Sequence, residues 1–330
     1  MTTTTMTTKT KTRTKTSTWT TVPIVVGTFA LLLRVFVATH SYSGFQSPPE
    51  YGDYEAQRNW MSITRNLPTS QWYTASEDYW RLDYPPNSAY QSYLSGFIVG
   101  LFDPGLVLPS PEECRGREGV AGKLGMRLSV LVGDLCVYIP CCLLYWWMTA
   151  LVGSGNESSS DNGFGKSNNS TLENTNVIFW LLVNPALILI DHGHFQYNSI
   201  SLGLTVLAAG CVGVVSRFGG GERGSRSARR RPVPFLLFVA AFLYSMALNH
   251  KQMTLYYAPA FFVYMFALCC AAWRRDGVVA GLGMFVGLGV TVLGTFGVLW
   301  APFGVEGAKD ILMRIFPVQR CVFGRCRLVW

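Results

Sequence analysis

Charged residues are scarce in this chain. Asp, Glu, Lys and Arg make up 14% of its 330 residues, against about 25% in a soluble globular domain. Acids are the scarcer sign, 19 against 27 bases, which leaves a formal net charge of +8. With 49% hydrophobic residues and a positive mean hydropathy of +0.25, the chain cannot be intrinsically disordered as a whole. An ordinary cytosolic enzyme is disfavoured, and a polytopic membrane protein is indicated. A glycine-rich phosphate loop, a Walker-type pair and a Ser/His/Asp order are also missing; Gly219–Gly221 with Glu222 and Arg223 is a loop composition. The base excess lies in two short stretches, as topology signals do, so no nucleic-acid partner is expected. Cysteine is present in odd number, nine. Six (Cys136, Cys141, Cys142, Cys211, Cys269 and Cys270) sit in apolar runs and read as small core residues. Cys114, Cys321 and Cys326 lie outside those runs and remain available for pairing.

What is present is a series of apolar runs long enough for a bilayer, which takes about 17–25 residues. They lie near 22–39, 126–150, 176–191, 199–216, 233–249, 254–273 and 277–302. An all-α integral membrane protein of about seven spans is predicted. Residues 1–21 are Thr-rich, carry Lys9, Lys11, Arg13 and Lys15, and read as a disordered cytosolic tail. The composition also suits a transit peptide, but the apolar run that follows favours the tail. Segment 90–107, interrupted by Asp103-Pro104, reads as an interfacial helix. The basic tail, the Arg-rich loop 217–232 and Arg274-Arg275 should all be cytosolic. Seven spans put all three on one side, and counting 90–107 as an eighth breaks that agreement. The loop 40–125, the string 191–198, the segment Asn249–Met253 and the stretch 304–330 then share the opposite, lumenal face. Nearly every unusual polar motif lies there, as a site served from that side requires.

Five motifs have residue types suited to chemistry. In Tyr51–Arg58, Asp53 and Glu55 stand near Arg58 and several aromatics, as acid/base or sugar-binding groups would; alternatively Asp53 caps a helix. In Tyr79–Pro86, Pro-Pro fixes an extended turn after Asp83 and Tyr84. The aromatics around it (Trp60, Trp72, Tyr73, Tyr79, Trp80) suit sugar rings or the lipid interface. In 191–198, Asp191, His192 and His194 invite a metal, though no second ligand cluster supports one. Hydrogen bonding to phosphate or sugar hydroxyls, with Gln196, is the other functional reading, and a self-satisfied helix end the bland one. Short spans on either side resemble discontinuous helices lining a site, where polar groups are costly and tend to be functional. Lys251, with Gln252, either pairs with an anionic headgroup or snorkels to the interface. Arg314 and Arg320 could grip a phosphate.

Together these strings resemble one family. GDYEAQR at 52–58, LDYPP at 82–86, DHGHFQYNS at 191–199, KQM at 251–253 and RIFPV at 314–318 are similar to those of the endoplasmic-reticulum dolichyl-phosphate-glucose-dependent alpha-1,3-glucosyltransferases, membrane enzymes of GT-C type. Within that family the strings favour the member adding the first glucose. The resemblance implies a GT-C helical module over 22–320 with a large lumenal first loop, in the endoplasmic-reticulum membrane with its active site facing the lumen. It implies dolichyl phosphate glucose as donor, a dolichyl-pyrophosphate-linked high-mannose oligosaccharide as acceptor, surrounding membrane lipid, and no cofactor or metal. It implies an inverting displacement with Asp53 as general base. Glu55, Arg58, Asp83, Tyr84, Asp191, His192, His194, Gln196, Lys251, Gln252, Arg314 and Arg320 are then substrate-binding candidates without assigned roles. Two departures qualify the match. Residues 321–330 leave the family's pattern, so the chain is expected to lack the family's further spans, and its activity is open. His250 stands where the family usually has an uncharged aromatic. The alternatives are the glucosyltransferase adding the second glucose, or a truncated non-catalytic membrane protein that binds dolichol-linked lipids. A transporter has broken helices in its favour but no internal repeats.

Parity makes a direct prediction. The sequons at Asn156, Asn168 and Asn169 fall in the Ser/Asn/Gly-rich linker 151–175, on the cytosolic side. Chain made in endoplasmic-reticulum membranes should keep its electrophoretic mobility on endoglycosidase treatment. A shift abolished by Asn→Gln at these positions would overturn the seven-span topology.

Overall fold

The computed structural model describes residues 5–49, 51–74, 80–110, 113–154, 175–219 and 233–316. The described residues are all-α. Helix α1 runs Thr5–Ala38 and includes Pro23. It therefore extends through residues 5–21, which the composition marks as disordered. The apolar half supplies the nucleus, and elongation into the Thr tract costs only weak propensity, below about 0.7 kcal/mol per residue.

The first loop holds two helices, α2 (Gly52–Asn66) and α3 (Pro86–Phe102). Every residue of α2 from Tyr54 to Thr64 is buried although many are polar. Those polar groups are satisfied locally. Asn59 Nδ2 donates to Trp80 O at 2.9 Å, Ser62 Oγ to Leu108 O at 2.5 Å and Asn66 Nδ2 to Val107 O at 2.9 Å. Helix α3 starts where the Pro-Pro pair fixes φ for a first turn. It buries Ser88, Ala89, Ser92, Ser95, Gly96 and Val99 and leaves Leu94, Phe97 and Leu101 exposed.

A long rod follows: α4 (Val120–Gly133), a π turn (Asp134–Tyr138) and α5 (Ile139–Ser154). Helix α6 covers residues 175–182. The four-residue α7 (Pro185–Ile188) runs into a second π turn, Leu189–Phe195. Then come α8 (Asn198–Gly219), α9 (Val233–Leu248), a 3-10 turn (Gln252–Tyr257), α10 (Ala258–Asp276), α11 (Val278–Trp300) and α12 (Gly304–Ile315). Among the described residues, six helical stretches are long and apolar enough to cross a membrane. Six of the seven expected spans correspond to these. The seventh, at 233–249, corresponds to a shorter apolar helix, Phe235–Leu248. Its end is set by Asn249 and Lys251, whose amides turn back onto Ser245 and Ala247 carbonyls. Cys114 is buried with a free thiol; Cys321 and Cys326 lie outside the described residues.

Between helices in lipid no hydrophobic force operates, so close backbone approach decides packing. Helices α8 to α11 accordingly meet over small residues: Ala208, Cys211, Ala240, Ala241 and Cys269 are buried there around Leu237, Met265 and Leu288. Large apolar side chains such as Val279, Leu293 and Val298 point outward, where lipid would cover them. Gly281 is the tightest point of the α10–α11 hairpin: a Cβ there would lie 2.5 Å from Trp273 Cβ and 2.9 Å from the Cys269 carbonyl oxygen, whereas one at Gly289 would meet nothing within 4 Å.

Gly281→Ala should therefore destabilise the detergent-solubilised protein by about 1–3 kcal/mol, the usual cost of overpacking. Gly289→Ala should be neutral or stabilising by up to about 1 kcal/mol. Paired thermal-unfolding curves would check the contrast; equal shifts would refute the close approach.

Candidate active site

Gly44 and Gly52 bend the chain back before α2. Both have positive φ, 81° and 64°, and a Cβ on Gly44 would lie 1.8 Å from the Tyr51 carbonyl oxygen. Tyr51, not Asp53, is the helix N-cap. Asp53 sits inside the first turn, where the helix dipole favours a carboxylate, and its side chain turns away from its own backbone. Its Oδ2 is 2.9 Å from His194 Nε2 and accepts a bond from Gln196 Nε2 at 2.6 Å. The capping alternative is thus replaced by a tertiary contact across 141 positions of chain.

The second π turn presents those partners. It ends at Phe195, whose φ of 96° is rare for a residue with a side chain. The following Gln196 is extended. Asp191, fully buried, caps α8 from seven positions upstream: Asn198 N donates to its Oδ1 at 3.1 Å and Ser199 N to its Oδ2 at 2.7 Å. His192 is buried against Asp134, with Nε2 2.9 Å from Oδ2. Asp191, His192 and His194 therefore serve three separate partners, and the metal reading finds no convergent ligand set in them.

Lys251 lies just beyond α9 with 4% of its surface exposed. Its Nζ donates to Gln196 Oε1 at 2.8 Å and Asn198 Oδ1 at 2.7 Å, and stands 4.8 Å from the centre of the Tyr84 ring. Asn198 Nδ2 donates to Asp191 Oδ1 at 2.8 Å. A lysine can only donate and an ionised carboxylate only accept, so both amides have a forced orientation. The result is one chain of groups: carboxylate, amide, ammonium, amide, carboxylate, from Asp53 to Asp191. Burial, only partly offset by Asp191, Asp53 and Asp83, pushes the Lys251 amine down to about 8. Burial likewise drives the neighbouring His250 imidazole down to about 3 and keeps it neutral.

These groups line a cleft of about 960 Å³. Its polar lining is Asp53, Tyr84, His194, Gln196, Asn198, Lys251 and Gln252; its apolar lining is Leu189, Ile190, Met253, Leu255, Tyr256 and Phe316, most of it exposed. The four segments that parity places on one face (40–125, 191–198, 249–253 and 304–330) each contribute to its wall. Of the expected site residues, Asp53, Tyr84, His194, Gln196, Lys251 and Gln252 meet here, with Asp191 one hydrogen bond behind. Glu55 and Arg58 do not. They form a buried ion pair at 2.6 Å, Arg58 NH1 also donating to Leu106 O at 3.1 Å, because helix spacing i,i+3 sets them against each other. His192 faces away. Asp83 is exposed beside Tyr84 but does not line the cleft. Arg314 is half-buried on α12, two residues before Phe316, also off the wall. Arg320 lies outside the described residues. Asn198 was not among the expected site residues, although it stands within the polar string. Arg34 and Asp134 were missed too, and their signal was an isolated charge in an apolar run.

A family model described as the ALG6, ALG8 glycosyltransferase family matches residues 30–325. The chain belongs to this family. In this family member, 39% of residues over 311 are identical to a probable dolichyl pyrophosphate Man9GlcNAc2 alpha-1,3-glucosyltransferase of Arabidopsis thaliana, covering 92% of the chain and 50% of that relative. The protein named dolichyl pyrophosphate Man9GlcNAc2 alpha-1,3-glucosyltransferase in Gallus gallus is 37% identical over 300 residues, 89% of this chain and 51% of its own length. Its namesake in Saccharomyces cerevisiae is 33% identical over 306 residues, 91% and 49%. The chain thus spans about half the length of the curated relatives it matches.

The Glu55–Arg58 pair gives a prediction separate from the cleft. Glu55→Gln should cost about 3–5 kcal/mol, because it removes a charged partner at 2.6 Å from a buried guanidinium. The Glu55→Leu/Arg58→Met double variant should recover part of that loss. Thermal unfolding of the purified proteins measures both, and a Glu55→Gln chain as stable as wild type would refute the assignment.

Proposed function

We propose that this chain carries the donor-side transfer site of a membrane alpha-1,3-glucosyltransferase. The donor is dolichyl phosphate glucose, and the acceptor is dolichyl-pyrophosphate-linked Man9GlcNAc2, which receives its first glucose. The setting is the endoplasmic-reticulum membrane with the cleft open to the lumen. One observation carries the proposal: an acid and a buried ammonium, joined through Gln196, line a cleft together with exposed apolar side chains. A lipid phosphate sugar has that same combination, a polyprenyl chain and a charged phosphoryl sugar. The relatives' names support the acceptor.

The chemistry follows from the placement. Asp53 Oδ2 is occupied by two donors, and among the described residues its Oδ1 has no protein hydrogen bond. Oδ1 is the atom that takes the proton from the acceptor 3-hydroxyl as that oxygen attacks the glucose anomeric carbon. The bond from that carbon to the phosphate oxygen breaks, its electron pair leaves with dolichyl phosphate, and a beta donor gives an alpha product. A phosphate leaves without a proton, so the demand on the protein is charge stabilisation. Lys251 meets that demand as a cation held by fixed amides and needing no rearrangement.

Cells lacking the first glucosyltransferase and expressing this chain should accumulate lipid-linked oligosaccharide one hexose larger. Asp53→Asn should abolish the addition, a loss of about 100-fold or more for a general base. Membrane-inserted chain that adds no hexose would refute the proposal. The pH dependence has a defined sign. A base with a lowered pKa is charged below that value, so Lys251 is cationic at neutral pH and loses its charge as pH rises through about 8. Transfer should decline over that interval, and Lys251→Met should remove the alkaline limb together with most of the rate.

A further inference from the structure

Three fully buried side chains behind the cleft take no part in its wall. Arg34 on α1, Asp134 at the start of the first π turn and His192 in the second are each at most 1% exposed. Arg34 donates from Nε to Asp134 Oδ2 and from NH1 to Leu182 O at 2.7 Å and Ala30 O at 3.1 Å. His192 Nε2 reaches the same Oδ2 at 2.9 Å, while among the described residues its buried Nδ1 and Asp134 Oδ1 have no hydrogen-bond partner. With the imidazole proton on Nε2, both of these atoms present acceptor lone pairs, and no buried N–H is orphaned in the pair. One cation and one anion cancel, the condition under which charges persist at membrane depth. A single carboxylate thereby ties α1, the α4–α5 rod and the connector before α8.

The connector is where that tie matters. π turns are uncommon and concentrate at functional sites, and this one ends in the strained Phe195, held edge-on by Tyr54 and Tyr197 at ring separations of 5.0 and 5.7 Å. Across it the side chains diverge. His192 points back to Asp134, while His194 and Gln196 point forward to the same oxygen of Asp53. We propose that Arg34, Asp134 and His192 are positioning residues. They anchor the π turn from the membrane side, so that His194 and Gln196 together hold Asp53 in its working orientation. The kinetic part of this inference rests on the transferase reading; the anchoring part does not.

The test uses the full chain in membranes, with His192→Phe, which keeps a ring but no donor, and His192→Gln, which restores an N–H toward Asp134. Leu237→Ala, in the α8–α11 core, is the control for general destabilisation. Hydrogen exchange should accelerate by about tenfold or more across 189–199 in His192→Phe, with α10 and α11 unchanged. Its kcat for glucosyl transfer should fall by about tenfold or more, with the donor KM within about twofold of wild type. His192→Gln should bring both back to within about threefold of wild type. Leu237→Ala should reproduce neither the local exchange nor the kcat loss. Unchanged exchange at 189–199, loosening spread through α10 and α11, an unaltered kcat, or failure of Gln to rescue would overturn the proposal. If wild type itself transfers no glucose, the transferase reading fails, and exchange with its rescue by Gln decides the anchoring.

Discussion

An ammonium group buried beside a bilayer must replace the water it has lost. Lys251 does so with two side-chain carbonyls and the face of Tyr84. Each replacement comes from a different part of the chain: the extended residue after a π turn, the first residue of α8, and the turn before α3. Satisfying one amine therefore fixes three segments relative to one another. The amides that serve it are in turn held by Asp53 and Asp191, so the requirement spreads to the first turn of α2 and the N-terminus of α8. The cleft exists where these segments are forced together.

The surrounding helices obey a different rule. In the α8–α11 group, small residues such as Ala208, Cys211, Ala240 and Ala241 bring the helices close around Leu237, Met265 and Leu288, and many other bulky apolar residues face outward. Such packing gives close approach but little selectivity of register. The buried Arg34–Asp134–His192 cluster supplies that selectivity near the site, since a helix slid by one residue would leave a charge unpaired in a medium that cannot solvate it. The first loop, by contrast, packs the aromatics Trp60, Trp72 and Tyr73 against Phe303 from the turn between α11 and α12, where apolar area removed from water stabilises in the ordinary way.

Helix positions were legible in the sequence because apolar runs of bilayer length are unambiguous. The polar strings were legible as a group because parity put them on one face, and four of those segments line one cleft. What the residue types could not supply was direction. Glu55 is two positions from Asp53 and equally acidic, yet the helical turn between them aims it at Arg58 and the interior. His192 and His194 are chemically identical and point oppositely, since a π turn and a positive φ at Phe195 leave no simple periodicity to extrapolate.

The placement of Gln196 between acid and amine has a consequence for the chemistry. A direct Asp53–Lys251 ion pair would satisfy both charges and dull both proposed roles, occupying the carboxylate and the ammonium alike. An intervening amide transmits the hydrogen bond but keeps the charges apart. Among the described residues Asp53 retains an oxygen without a hydrogen-bond partner, and Lys251 retains its field toward the cleft. The two groups stand in different surroundings, Asp53 at a partly exposed helix start and Lys251 under burial. That separation is what a displacement with a proton accepted at one end and negative charge released at the other requires. Among the described residues Lys251 is held by neutral amides rather than by direct contact with a carboxylate, which on the proposed reading leaves its charge available to an anion in the cleft.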